Sequence, residues 1–123
     1  MLLFQHNHLW QNYHDFFTGL GAETKVSLPV IPSYATNNAH MFYVLFPDLA
    51  SRTDFIAKMK ARDILTVFHY LPLHSSDYYR SSHDGRELPN CDRYSDTLVR
   101  LPLYCGLAPD QDKVLAAIKE SLS

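Results

Sequence analysis

The chain has 123 residues, enough for one hydrophobic core, and its 46% apolar and 20% charged composition is that of a folded globular domain rather than a disordered one. A net charge of −2, with both signs dispersed and no basic run, disfavours nucleic acid as the main partner. Met1-Leu-Leu-Phe is broken at once by Gln5, no stretch approaches a membrane span, and Cys91 and Cys105 lack metal or redox spacing, so one cytoplasmic domain over residues 1–123 with reduced thiols is expected.

Leu3, Trp10, Tyr13, Phe17 and Leu20 recur at helical spacing and predict an amphipathic first helix that stops at the Gly19–Gly21 breaker. It begins almost at Met1 without a cap, which raises the expectation that a longer element has been cut. Val26–Ile31 is a short extended piece hemmed by Pro29 and Pro32. Ala39–Phe46 is apolar on both alternations and predicts a strand covered on both faces.

Ser51 with Asp54 reads as a capping box opening a helix through about Arg62, with Phe55, Ile56 and Met59 buried. Ile64–Tyr70 reads as the next strand. Ser75–Asp92 is polar and reads as a long loop with one helical turn, and loops of that length tend to be functional or mobile. Arg100–Tyr104 is a short strand whose Pro102 argues for an edge position. Pro109, at the first helical position, opens a last helix carrying Val114, Leu115, Ile118 and Leu122 on one face. The order helix–strand–helix–strand–loop–strand–helix predicts an α+β fold, a small and mostly antiparallel sheet backed by helices.

Val67–His74, reading Val-Phe-His-Tyr-Leu-Pro-Leu-His, delivers two imidazoles and a phenol where a strand runs into a proline. Rigid strand ends are good places to display chemistry. Read with Asn38-Ala-His-Met-Phe-Tyr, Arg100-Leu-Pro-Leu-Tyr, Leu9-Trp-Gln-Asn-Tyr and Asp92-Arg-Tyr, this segment resembles the C-terminal region of the DegT/StrS-type sugar-nucleotide aminotransferases. The resemblance spans roughly residues 8 to 123 and is greatest to the dTDP-4-amino-4,6-dideoxygalactose transaminases, which serve enterobacterial common antigen synthesis.

The resemblance implies the architecture of type I, aspartate aminotransferase-like enzymes. A large N-terminal domain holds pyridoxal phosphate through a lysine Schiff base and an aspartate on the pyridine nitrogen. The small C-terminal domain packs beside it and helps to wall the sugar-nucleotide cleft, where glutamate supplies nitrogen to C4 of a 4-keto-6-deoxy sugar. Relatives are dimers with active sites at the subunit boundary; the residues here leave the oligomeric state open. This chain has five lysines, Lys25, Lys58, Lys60, Lys113 and Lys119, none in the family's Ser-Phe-x-x-x-Lys setting. No catalytic residue and no cofactor of its own are therefore expected, and the large cofactor-binding domain is expected as a missing or separate partner. Where the similar transaminases have a serine cap on the last helix this chain has Ala108, a local loss of about 1 kcal/mol.

Six residues are candidates for substrate contact. His69 would share a strand face with Leu65, Val67 and Leu71; the bland alternative is a core histidine bonded to backbone. Tyr70, on the opposite alternation, either contacts ligand or caps the sheet. His74, beyond Pro72, is expected to be exposed and able to donate to a sugar hydroxyl or a diphosphate oxygen. Asn38 and His40 precede the long strand, where an asparagine is more often a turn residue. Arg80, together with Arg86 and Arg93, can fork onto a diphosphate, although solvated arginines are commoner. No metal is expected from His6-x-His8 or from His69 with His74, and nothing orients a base toward Cys91.

Overall fold

The computed structural model describes the backbone of residues 2–123 and the side chains of residues 5–123. The order is α1 (Leu2–Leu20), β1 (Phe42–Leu45), α2 (Leu49–Lys60), α3 (Pro89–Thr97), β2 (Leu98–Leu101) and α4 (Gln111–Ser121), with short 3-10 turns between them. The α+β arrangement matches the expectation, with differences in detail.

Helix α1 buries Leu9, Trp10, Tyr13 and Phe17, the stripe that the spacing predicts; the side chain of Leu3 lies outside the described residues. The helix closes with the Gly21 N–H on the Thr18 carbonyl (3.2 Å), and Gly21 takes a φ of 75° that other residues adopt at a cost. Phe42 is fully buried beneath this stripe, its ring centroid 5.2 Å from those of Trp10 and Tyr13 and 6.1 Å from that of Phe17.

Strand β1 is shorter than the expected Ala39–Phe46 because two asparagine turns precede it. Asn37 Oδ1 accepts from Ala39 N (2.9 Å) and Asn38 Oδ1 from His40 N (3.3 Å), and Ala39 sits at a φ of 53°. Its coverage is one-sided: Phe42 and Val44 are buried, whereas Tyr43 and Leu45 are half-buried. It pairs antiparallel with β2 in the register Phe42 with Leu101 through Leu45 with Leu98.

Two isolated bridges widen this pair. Ser27 pairs with Leu45 outside β1, and Val67 with Arg100 outside β2. The expected strands at Val26–Ile31 and Ile64–Tyr70 are each reduced to one such bridge, since each touches the sheet at a single residue. Strand β2 is therefore flanked on both sides, and the edge position expected from Pro102 is overturned. Pro102 lies one residue past the strand, where its missing N–H breaks no ladder.

Helix α2 starts earlier than expected. Asp48, not Ser51, is the N-cap, its carboxylate accepting from Ser51 N at 2.7 Å, and this bond holds the carboxyl below its usual range. Asp54 pairs with Lys58 instead (2.9 Å). The helix buries Phe55 and Met59 and ends with Asp63 at a φ of 61°, Ile64 N returning to the Met59 carbonyl (3.0 Å).

Helix α3 falls partly in the stretch read as loop. Its sequence is polar and only Thr97 is buried, so no apolar stripe announces it; Pro89 at its first position is the one local signal. Helix α4 begins after a 3-10 turn, Ala108–Asp110, two residues later than expected, with no side-chain cap. It seals the core with Val114, Ala117 and Ile118. Gln111 ties it to α1, donating to the Leu9 carbonyl (2.8 Å) and accepting from Asn12 Nδ2 (2.8 Å). No helix among the described residues is long and apolar enough to cross a membrane.

Candidate functional site

The segment from Ile64 to Leu71 lies along β2, held by Val67 N to the Arg100 carbonyl (3.3 Å) and Arg100 N to the Val67 carbonyl (2.7 Å). Ile64 and Thr66 point into the core. The alternation that carries His69 faces out, with Leu65 and Leu71 at 73% and 68% exposure, and Tyr70 is 72% exposed. His69 is half-buried, but its Nδ1 has no hydrogen-bond partner among the described residues, so it is not a core histidine bonded to backbone. Its ring packs on Tyr70 at 4.6 Å, and the guanidinium carbon of Arg100 lies 5.8 Å from the Tyr70 centroid. His69, Tyr70 and Arg100 thus form one cluster beside β2.

Pro72 ends this segment in a 3-10 turn, Leu73–Ser75. His74 is more enclosed than expected, its side chain 15% exposed, because its Nε2 meets Asp92 Oδ1 of α3 at 2.8 Å. The His74 ring lies 5.3 Å from that of His83. His83 Nε2 lies 2.9 Å from the Arg86 carbonyl, and a carbonyl only accepts, so this nitrogen carries the hydrogen. Asp84 accepts a fork from Arg86, which holds the Asp84 carboxyl below its usual range and the guanidinium above its own. His74, His83, Asp84 and Arg86, together with Tyr79 and Cys91, line an open hollow of about 450 Å³.

Arg80 serves the turn: it donates to the Ser75 carbonyl (3.1 Å) and pairs with Asp77 (3.2 Å). Arg93 lies over the Tyr94 ring, its guanidinium carbon 5.9 Å from the centroid. Asn38 and His40 are exposed, and Asn38 Oδ1 also meets His40 Nδ1 at 2.9 Å, so Asn38 takes the turn position weighed for it, with His40 as its partner. His40 in addition lines a hollow of about 190 Å³ with Leu65, Val67, Arg100 and Pro102. The six sequence candidates therefore divide between the cluster at β2, the His74 hollow and the turns beside them. Arg100 was missed as a candidate, although a lone cation within Leu98-Val-Arg-Leu-Pro-Leu was a visible signal.

Lys25, Lys60, Lys113 and Lys119 are exposed, and Lys58 is half-exposed on α2 and paired with Asp54. Lys113 lines a hollow of about 520 Å³ with Asp63, Tyr104 and Asp110. Among the described residues no three His, Cys, Asp or Glu side chains converge as metal ligands.

Comparison with known proteins extends these observations. The chain is 28% identical over 120 residues to the UDP-4-amino-4-deoxy-L-arabinose–oxoglutarate aminotransferase of Shewanella sediminis (strain HAW-EB3), covering 89% of this chain and 30% of that protein. Its fold superposes on the aminotransferase TlmJ from Streptoalloteichus hindustanus with a TM-score of 0.85 at 20% identity, over 98% of this chain and 32% of the other. It also superposes on NtdA from Bacillus subtilis with bound cofactor PMP, with a TM-score of 0.82 at 17% identity, over 98% of this chain and 28% of the other. The chain thus spans about a third of the length of these relatives. The family description DegT/DnrJ/EryC1/StrS aminotransferase matches residues 2–119, nearly the full length, and the chain belongs to that family.

Proposed function

We propose that this chain is the small C-terminal domain of a pyridoxal-phosphate-dependent sugar-nucleotide aminotransferase and builds one wall of the substrate cleft. The reaction would pass the amino group of glutamate to C4 of a dTDP-4-keto-6-deoxy sugar, for cytoplasmic synthesis of a polysaccharide precursor of the lipopolysaccharide or enterobacterial common antigen type. The observation that carries the reading is the outward Val67–His74 segment, with His69 and Tyr70 packed together beside the sheet in a chain that spans a third of its relatives.

Enzymes of this family use pyridoxal or pyridoxamine phosphate to carry nitrogen from donor to acceptor, and that chemistry belongs to residues this chain does not supply. Its own contribution is positional: His69, Tyr70 and His74 orient a sugar, and apolar neighbours exclude water. Incubated with pyridoxal phosphate, glutamate and a dTDP-4-keto-6-deoxy sugar, the isolated chain is expected to give no amino sugar and no cofactor absorbance shift. An absorbance band removed by substituting one lysine would overturn the reading.

A second reading, an interaction module for a separately encoded cofactor domain, draws on the exposed strip of Leu65, Tyr70, Leu71 and Leu73. Contiguous apolar surface of this kind is characteristic of interaction sites. Co-purification with such a domain, and loss of it on Leu71→Asp, would favour the second reading.

A further inference from the structure

We propose that Arg100, with His69, anchors a phosphate oxyanion at the outer edge of the sheet. This rests on the cleft-wall reading and adds to it the group that receives the ligand's charge.

The backbone of Arg100 is fixed on both sides, by its ladder position opposite Tyr43 and by the two hydrogen bonds with Val67. Its side chain, by contrast, is unanswered. Arg52 donates to the Ser95 carbonyl, Arg62 to Glu120, Arg80 to Asp77 and Arg86 to Asp84, whereas Arg93, like Arg100, meets only an aromatic face. Arg100 has neither an ion pair nor a side-chain hydrogen bond among the described residues; its one charge contact is the face of Tyr70. The Nε of Arg100 is moreover shut off from water without a partner, and so is Nδ1 of His69 on the same aromatic ring.

Buried polar nitrogens without partners are costly and uncommon in folded proteins, and two of them against one ring mark a place where a ligand group belongs. A guanidinium fork prefers carboxylate or phosphate oxygens. With His69 in its Nδ1–H tautomer, the two nitrogens favour an acceptor with several oxygens, which a diphosphate offers. The hollow beside Arg100 has Leu65, Val67, Pro102 and Leu103 as walls, and such apolar surroundings strengthen a charge contact by excluding water. His40 lines the same hollow and adds a second imidazole.

The test is a titration of the full chain with inorganic pyrophosphate, dTDP and thymidine, followed by NMR at the Arg100 Nε–H, the His69 ring and the amides of Val67 and Tyr70. Both phosphate-bearing probes are expected to give saturable shifts there that weaken with salt, and thymidine none. Affinity should fall about tenfold or more in Arg100→Gln and less in Arg100→Lys, which keeps charge but loses the fork. Tighter binding of dTDP than of pyrophosphate identifies a nucleotide as the source; equal binding identifies free phosphate. Should Arg100→Gln fail to fold by circular dichroism, Arg100→Lys carries the comparison. Absence of shifts with pyrophosphate, equal shifts with thymidine, or unchanged affinity in the variants overturns the proposal. A dTDP-sugar that shifts His74 while Arg100 stays silent removes this inference and leaves the cleft-wall reading standing.

Discussion

The hydroxyl of Tyr13, midway along α1, donates to the carbonyl of Pro102 just past β2 at 2.6 Å. This bond joins the first helix to the sheet across 89 residues of chain, in a site where the tyrosine is fully buried. Burial, and secondarily the charge of Tyr104, pushes the Tyr13 phenol above its usual range. A group whose folded pKa is raised contributes stability in full below its unfolded pKa, about 10 for tyrosine, and loses it as pH rises beyond. Urea midpoints should therefore fall above about pH 10. Tyr13→Phe should cost about 1 kcal/mol at neutral pH and blunt that alkaline fall. Parallel alkaline curves for both proteins would contradict the assignment.

Phe42 carries the core. It is fully buried and meets Trp10, Tyr13 and Phe17, so truncation removes contacts on several sides at once. Phe42→Ala is expected to destabilise by about 3–5 kcal/mol in denaturant unfolding, enough to unfold a marginal domain. A loss below about 1 kcal/mol would mean the site collapses around the change.

The start of α2 separates two capping schemes. Asp48 accepts the Ser51 N–H, and its carboxyl is held low by that bond. Asp48→Ala should lower the melting temperature, and Ser51→Ala should leave it nearly unchanged; the reverse would restore the Ser51 box. The Asp48 contribution is present above the ordinary aspartate pKa of about 3.9 and lost as pH falls through its lower folded value, so the two variants should converge in strong acid.

Elements with an apolar stripe were legible in the sequence, and those without one were not. The first helix, the core of β1 and the last helix follow from Trp10, Tyr13, Phe17, Phe42, Val44 and Ile118 at their spacings. Helix α3 was not legible because its one buried residue leaves no periodicity to read. The apolar run Ile64–Tyr70 suggested a full strand, but pairing is non-local, and only Val67 meets β2. The candidate site was partly legible: the motif pointed to His69, Tyr70 and His74, yet which face looked outward and which partner held His74 depended on residues distant in sequence. Arg100 gained meaning only when its neighbours were seen to leave it unpaired.

The bond between His74 and Asp92 fastens the segment after Pro72 to α3. Asp92→Ala is expected to speed amide exchange of Ser75, Ser76 and Arg80 about fivefold, the factor matching one hydrogen bond of about 1 kcal/mol, with little change in global stability. Unchanged exchange at those amides would show that the turn holds without the bond.

The most direct measurement is an NMR titration of the isolated chain with dTDP-4-amino-4,6-dideoxygalactose, following the backbone amides of His69, Tyr70 and His74. A wall of a sugar-nucleotide cleft predicts saturable shifts concentrated at these positions. Silence along Val67–His74, or shifts spread evenly over the molecule, would contradict it.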